Sequence, residues 1–201
     1  MSMTEFSIVN KPSHITWDQV AACQQRAHTS ISHNVNMKCA TMSGEELQAA
    51  VGNGVCYVAL TENNEVIGTL SYKICTVNRW WHKGTAAYIC FVAVDPVYQG
   101  CGIYSALAAK VEEALHSMAI GVLYLHTHEH NKRAQRAYEK DGYRKVQFTP
   151  NSGSDVDYYS IEMAKWIAGR KSYINWIRPA VFFVSKVVVK LLYKPGKIRR
   201  F

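Results

Sequence analysis

The stretch VDPVYQGCGIYSALAAKVEEAL, Val94–Leu115, leads from an apolar, strand-like run through a proline and two glycines directly into an amphipathic helix. Glycine allows backbone N–H groups to approach a ligand that side chains would keep at a distance. The first turn of a helix also has unpaired N–H groups and the positive end of the helix dipole. The turn that contains Gly100 and Gly102 is therefore typical of an anion-binding site, and a phosphate is the expected ligand.

Two common nucleotide-binding motifs do not fit this turn. A Walker loop requires a lysine directly after its last glycine, but Gly102 is followed by Ile103 and Tyr104. A dinucleotide-binding fingerprint requires a third glycine and a strand–helix–strand context, whereas Ser105 occupies that region and a predicted hairpin precedes the turn. We therefore expect a phosphate compound that neither motif recognises.

Short helical and strand-like segments alternate along the chain. Helices are predicted over 16–28, 43–51, 102–117 and 131–141, and strands over 55–60, 66–77, 85–95, 122–127, 143–148 and 156–163. Thr16, Ser43 and Asn131 are the expected caps at helix starts, and Gly142 is the expected end of a helix. This order of elements predicts an α+β fold with a mixed sheet.

The positive charge of the chain is concentrated near its C-terminal end. The formal net charge is +8, but ten of the 23 Lys and Arg residues lie in 164–201, where there is no Asp or Glu. Residues 1–163 have 13 basic and 15 acidic residues and are close to neutral. Since the excess is confined to the tail, the body gives no reason to expect a nucleic-acid partner.

The tail combines these cations with an apolar run between Pro179 and Tyr193. The run contains Lys186 and Lys190 and is too short and too charged to span a bilayer, which requires about 20 apolar residues. One interpretation is an amphipathic segment over 176–201 that lies peripherally in a membrane interface. The other is a segment that packs on the protein body or on a twin subunit in a homodimer. A β-strand is also a possible structure for this part of the tail, because Val187–Val189 are β-branched.

The six cysteines contain no C-x-x-C pair, and the first residues, MSMTEFSIVNKPSH, contain no apolar signal core. This pattern predicts reduced thiols and a cytoplasmic location, with the inner face of the membrane as the site of any peripheral contact. The stretch HTHEH places His126, His128 and His130 at a spacing of two on one expected strand face. No spacing supplies the further ligand that a zinc site normally needs, so no metal is expected.

Two adjacent segments resemble a known family. VAVDPVYQGCGIYSAL, 92–107, looks like the acetyl-CoA-binding segment of the GNAT N-acyltransferase superfamily, whose pattern is Q/R-x-x-G-x-G/A after a strand end with V-x-P. LYLHTHEHNKRAQRAYEKDGYRKV, 123–146, is similar to the family's next segment, with a capping Asn, A-x-x-x-Y and a closing G-[YF]. The resemblance implies a GNAT-like, mostly antiparallel central sheet flanked by helices over 1–163, followed by a basic apolar extension over 164–201.

The resemblance also implies a co-substrate and roles for individual residues. Acetyl-CoA would be held at its pyrophosphate by the main chain of Gln99, Gly100, Cys101, Gly102, Ile103 and Tyr104. Its pantetheine arm would add to the strand around Phe91, Val92, Ala93 and Val94 through main-chain bonds. Asn131 would contact the CoA arm, and Tyr138 would protonate the leaving thiolate, since the pKa of a phenol, about 10, lies near that of a thiol, about 8.5.

The sequence departs from the family pattern at two points. Tyr104 stands where Gly or Ala is usual, and the strand AAYICFVAV has no Glu of the kind that many relatives use to relay a proton. The candidates for passing a proton from the acceptor through water are His82, Tyr88, His126 and His128. Trp80 and Trp81, in the expected loop NRWWHKG, would cap the core or wall the acceptor cleft.

The expected function is transfer of an acetyl group from acetyl-CoA to a primary amine by direct attack, with a small-molecule or lipid-linked acceptor. One alternative is a long-chain N-acyltransferase that uses acyl-CoA or acyl carrier protein at the membrane. The other is a non-catalytic CoA-binding or partner-binding module, which the missing Glu favours.

Overall fold

The computed structural model describes residues 5–29, 38–150, 159–167 and 174–192. Within these ranges the strands are β1 (Ser7–Asn10), β2 (Val55–Leu60), β3 (Val66–Arg79), β4 (His82–Val94), β5 (Val122–His128), β6 (Arg144–Pro150) and β7 (Tyr159–Trp166). The α-helices are α1 (Trp17–Thr29), α2 (Gly44–Val51), α3 (Ile103–Ser117), α4 (Lys132–Lys140) and α5 (Ile174–Leu192). The strands form a mixed, mostly antiparallel sheet in the order β1-β2-β3-β4-β5-β7-β6, which confirms the α+β prediction.

The first compact unit comprises Met1–Cys75 and Ala87–Ile120. In it, β2 pairs antiparallel with β1 and β3, and α1 packs on α2. Its core joins apolar residues of α1, α2, β2 and β3: Ile15, Val20, Ala21, Cys23, Leu47, Val51, Cys56, Val58, Leu60 and Val66. Gly68 is required by close packing on α3, because a Cβ at this position would lie 2.6 Å from Ile103 Cγ2.

The second compact unit comprises Thr76–Ala86 and Gly121–Phe201. Here β7 pairs antiparallel with both β5 and β6, so that Ile161 lies opposite Thr127 on one side and Phe148 on the other. The side chains of Leu123, Leu125, Phe148 and Met163 are fully buried. A strand with neighbours on both sides and buried faces explains why β7 is apolar along most of its length.

The predicted helix starts are confirmed by their caps. The Oγ1 of Thr16 accepts from the Gln19 N–H at 3.2 Å, and Ser43 forms a capping box with Glu46 at the start of α2. The Oδ1 of Asn131 accepts from the Ala134 N–H at 3.1 Å at the start of α4. These contacts span three residues, so the local sequence is sufficient to specify them.

The sequence prediction is wrong or incomplete at three elements. It missed β1, whose four residues are too few to show a period. The expected loop over 78–84 is a two-residue turn, because β3 continues to Arg79 and β4 begins at His82. The tail forms a helix over Ile174–Leu192 and not a strand, because one face of α5 packs on β6. Part of the predicted strand over 156–163 lies outside the described residues.

The boundary predicted between 163 and 164 falls inside β7, and the division into 1–163 and 164–201 stays a prediction. All six cysteines are free thiols, and Cys101 is exposed. Of the helices in the described ranges, none is both long and apolar enough to cross a bilayer.

Candidate active site

The glycine turn between β4 and α3 contains two residues with a left-handed backbone. Gly100 has φ 90° and Gly102 has φ 83°, and both values lie in the left-handed region that favours glycine. A Cβ at either position would meet no atom within 4 Å. The backbone conformation and not crowding therefore requires glycine, and the space beside the turn is open.

The helix that follows the turn differs from its neighbours at its start. The N-cap of α3 is Gly102, which forms no side-chain cap, whereas Ser43 caps α2 and Asn131 caps α4. The first N–H groups of a helix have no partner within the helix, and they carry the positive end of its dipole. The start of α3 consequently has the donor groups and the charge that suit a diphosphate.

The turn is anchored at both ends by side chains. The Nε2 of Gln99 donates to the carbonyl of Val94 at 3.0 Å and so ties the turn back to β4. Ile103 is buried against the position of Gly68 in β3. Tyr104 is partly buried, and Cys101 is exposed. Gln99 and Ile103 thus position the turn with their side chains, a role that the sequence did not indicate.

The strand that precedes the turn is distorted at Phe91, whose φ is 51°. A left-handed conformation at a non-glycine residue costs about 1–3 kcal/mol and persists only where the surroundings hold it. The Phe91 carbonyl accepts from Gln24 Nε2 at 2.6 Å and from Thr69 Oγ1 at 2.9 Å. Both of these side chains are fully buried. The Phe91 oxygen therefore accepts two hydrogen bonds within the fold.

His28 extends this buried polar cluster. Its Nε2 lies 3.2 Å from Gln24 Oε1, and Gln24 also donates to Thr69. Burial lowers the pKa of His28 to about 4, so the imidazole is neutral at physiological pH. The cluster was not predicted from the sequence, although the presence of Gln24 and His28 on the same helix face as the apolar Val20 and Ala27 is a signal for it.

A buried carboxylate forms the centre of a second cluster, in the second unit. Glu162, on β7, is only 1% exposed. Its Oε1 accepts from Trp81 Nε1 at 2.6 Å, and its Oε2 lies 2.9 Å from His126 Nε2 and 3.6 Å from Arg79 Nε. Burial alone would raise the pKa of Glu162, but the bonds from His126 and Trp81 and the charge of Arg79 outweigh it and lower the pKa. Glu162 is therefore a carboxylate at neutral pH.

Trp81 holds this cluster in the core. Its buried ring lies 5.7 Å from the ring of Tyr124 and 6.2 Å, edge to face, from that of Trp166. The sequence left two roles for the tryptophan pair, capping the core or walling the acceptor cleft. The burial of Trp81 fits the first role. Neither Trp81 nor Glu162 was singled out as a proton-relay residue from the sequence, because the bond that joins them spans 81 positions.

The three histidines of HTHEH have different environments. His126 faces Glu162 and keeps 32% of its side chain exposed. His128 is buried and accepts at Nδ1 from the His130 N–H at 3.0 Å, and its pKa is lowered by burial and by His130. β5 ends at His128, so the expectation of one strand face for all three is wrong for His130. Across the described ranges, no group of three or more His, Cys, Asp or Glu side chains is arranged to hold a metal.

The remaining predicted site residues lie on β4 and α4. Val92, Ala93 and Val94 form the end of β4 in the first unit. Asn131 caps α4 and Tyr138 lies within it, in the second unit, and both are buried. The ring of Tyr138 packs against that of Tyr143 at 5.8 Å. The roles of these five residues toward acetyl-CoA stay predictions.

Comparison with known proteins identifies the family of the chain. Residues 19–143 match the sequence model of the Acetyltransferase (GNAT) family. The chain is 26% identical over 145 residues to the [ribosomal protein bS18]-alanine N-acetyltransferase of Haemophilus influenzae, a match that covers 72% of this chain and 86% of the relative.

Solved structures show the same fold. The ribosomal-protein-S18-alanine N-acetyltransferase of Escherichia coli matches with a TM-score of 0.57 and 22% identity, over 84% of this chain and 99% of that chain. An aminoglycoside 6'-N-acetyltransferase complexed with coenzyme A matches with a TM-score of 0.58 and 17% identity, over 83% and 99%. With a family match over more than half of its length, the chain belongs to the GNAT acetyltransferase family and is an N-acetyltransferase that moves an acetyl group from acetyl-CoA to an amine.

Proposed function

We propose that the acceptor is the α-amine at the N-terminus of a polypeptide. The observation that carries this proposal is the pairing of His126 with the buried Glu162, in a chain whose β4 has no carboxylate to serve as a stronger base. The bS18-alanine acetyltransferase of Haemophilus influenzae, which acts on a ribosomal protein, supports the same acceptor class.

The basicity of the acceptor is the physical reason for this choice. An α-amine has a pKa of about 7.7–8.0, whereas a lysine side chain has a pKa of about 10.4. At pH 7.5 roughly a third of α-amines are neutral, against about one lysine amine in a thousand. Because a large share of α-amines is already neutral, their attack on the thioester does not require a strong base, and an imidazole relay is matched to this class of acceptor.

The donor side of the reaction uses main-chain groups. Within the turn, the amides of Gln99 and Cys101 already donate to the carbonyls of Pro96 and Tyr98. In the proposal, the other amides between Gly100 and Tyr104 hold the diphosphate of acetyl-CoA, and those of Val92 to Val94 hold its pantetheine arm. The N–H of Val92 or Ala93 would donate to the thioester oxygen as negative charge develops there. Gln24 and Thr69 keep the Phe91 carbonyl turned away, which fixes the direction of the groups that follow.

The proposed reaction requires two proton transfers, one from the attacking amine and one to the leaving thiolate. The neutral amine attacks the thioester carbon, and its proton passes through water to His126, whose charged form Glu162 stabilises. Since Glu162 binds Nε2, it favours the tautomer in which Nδ1 takes up the proton. The C–S bond then breaks, and the phenol of Tyr138 supplies the proton that the CoA thiolate accepts. Asn131 would contact the CoA arm next to this step.

We also propose that residues 176–201 bring the enzyme to a membrane surface as a peripheral protein. The ten basic and no acidic residues of 164–201 support this contact, because anionic headgroups attract such a segment.

The acceptor class can be tested with purified enzyme and three kinds of amine. Peptides with a free α-amine should be acetylated with a kcat/KM at least tenfold above that of the same peptides with a blocked N-terminus and one internal lysine. Release of CoA, with mass spectrometry to locate the acetyl group, gives the result. Preference for a small amine or an amino sugar would overturn the proposal, as would faster use of a C16 than of a C2 donor.

The Tyr138→Phe variant tests the proposed acid. We expect kcat to fall by about 100-fold, the scale of general acid catalysis, while the Kd of acetyl-CoA from calorimetry changes little. Tyr143→Phe is the matched control, since its ring packs on Tyr138 in the same core. Unchanged turnover in Tyr138→Phe, or an equal loss in Tyr143→Phe, would remove Tyr138 from this role.

The His126→Asn variant tests the proposed base. We expect kcat to fall by at least tenfold at pH 7 and less at pH 9, where more of the α-amine is already neutral. Added imidazole should restore part of the rate, which loss of a purely structural contact would not allow. His130→Asn, an exposed change near the same strand, should keep wild-type rates and pH dependence. If imidazole has no effect and the pH profile is parallel to that of the wild type, His126 is not the base.

The Gln24→Leu variant tests the distortion of β4. Loss of its bond to the Phe91 carbonyl should raise the Kd of acetyl-CoA about tenfold and lower the free energy of unfolding by about 1–3 kcal/mol. Gln25→Leu is the control, because Gln25 Nε2 donates to the Met42 carbonyl at 3.0 Å, away from β4. The control should lose stability without losing affinity. Equal affinities in the wild type and Gln24→Leu would contradict the positioning role.

A further inference from the structure

The helix α5 has one face that belongs to the core of the second unit. The Oγ of Ser185 accepts from the Phe148 N–H of β6 at 3.2 Å, and the ring of Phe182 packs edge to face on Phe148 at 6.3 Å. Arg178 Nη1 donates to the Lys145 carbonyl at 3.2 Å. Within the described residues, α5 therefore packs on β6 through this inner face.

The opposite face of α5 is exposed and apolar. Of the ten large apolar residues that are exposed in the described part of the chain, seven lie on this helix. Their exposed fractions range from 41% to 72%, and they are Ile177, Phe183, Val184, Val187, Val188, Leu191 and Leu192, which we call the outer face. Spacings of three and four place Val184, Val187, Val188 and Leu191 on one stripe. A contiguous stripe of this kind marks an interaction surface.

Charge decides between the partners that could cover the outer face. Lys186 and Lys190 flank it, and α5 contains no acidic residue. Lys190 is anchored to the body by Glu129 Oε2 at 3.0 Å and lies over the ring of Phe148. A symmetric interface through the outer face would bring together two copies of a segment, 164–201, that has ten basic and no acidic residues, and the repulsion between these charges is unfavourable. An anionic surface is complementary to them.

We propose that the outer face of α5 lies in the headgroup region of a membrane that contains anionic lipids. The apolar side chains would enter the boundary of the acyl chains, while the exposed Lys186 faces lipid phosphates and carboxylates. Lys194, Lys197, Arg199 and Arg200, which follow α5 in the sequence, add positive charge to the same segment. This assigns the membrane contact proposed above to seven named side chains and to one class of lipid. It is independent of the acceptor, because lipid binding can be measured without turnover.

The test is sedimentation of the full chain with vesicles of phosphatidylcholine alone and of phosphatidylcholine mixed with phosphatidylserine. The wild type should bind the mixed vesicles, bind the neutral ones more weakly, and lose affinity at high salt. The double variant Phe183→Gln, Leu191→Gln should bind the mixed vesicles at least tenfold more weakly. Ile74→Gln, Met118→Gln, which changes exposed apolar residues elsewhere, should bind like the wild type.

Folding and activity controls separate this proposal from the proposed reaction. Circular dichroism and acetylation of a dissolved acceptor should be the same in the wild type and both double variants, because the altered side chains are exposed. Equal vesicle binding by the wild type and the outer-face variant would overturn the proposal. So would absence of binding by the wild type, or a dimer on gel filtration that the outer-face variant dissociates.

Discussion

The hydrogen bonds of Gln24 and Thr69 to the carbonyl of Phe91 are the constraint on which the conformation of β4, the strand proposed to bind acetyl-CoA, depends. A site that binds through main-chain groups cannot adapt its donors by rotating side chains, so the backbone itself has to be held in one conformation. The left-handed φ of Phe91 is such a conformation, and two fully buried side chains hold it. The neutral state of His28 keeps this cluster free of an unpaired buried charge.

The same helix fixes the end of the strand. Arg26 of α1 forms an ion pair with the buried Asp95, which follows β4, and its Nη2 donates to the Val66 carbonyl at 3.0 Å. Asp95 in turn donates its N–H to the Ile67 carbonyl at 2.9 Å and accepts from the Val97 N–H at 3.1 Å. Within the first unit, α1 therefore acts as a positioning helix for both the distorted strand and the glycine turn. In the second unit, donors on three sides keep Glu162 ionised, so its charge is available to His126 without an uncompensated cost of burial.

The predictable parts of this molecule are those that depend on neighbours in the sequence. Gly100 and Gly102 have positive φ, and the caps at Thr16, Ser43 and Asn131 form within three residues, so each could be predicted from its own stretch. The two GNAT-like segments, 92–107 and 123–146, are likewise continuous in the sequence, so they could be recognised without the structure.

The parts that could not be predicted depend on long-range contacts. Gln24 meets Phe91 across 67 positions, and Trp81 meets Glu162 across 81. The buried carboxylate of Glu162 on β7, to which we assign the proposed relay, is therefore found only in the folded structure. The secondary structure of the tail could not be predicted for the same reason. Its β-branched residues are compatible with a strand, but the packing of α5 on β6 stabilises a helix.

Amide hydrogen exchange with and without acetyl-CoA tests most directly whether the main chain of β4 and of the glycine turn holds the co-substrate. The account predicts slower exchange at the amides of 92–94 and 100–104 when acetyl-CoA is bound, and little change in α5. Unchanged exchange in both segments, under conditions where calorimetry shows acetyl-CoA bound, would contradict it.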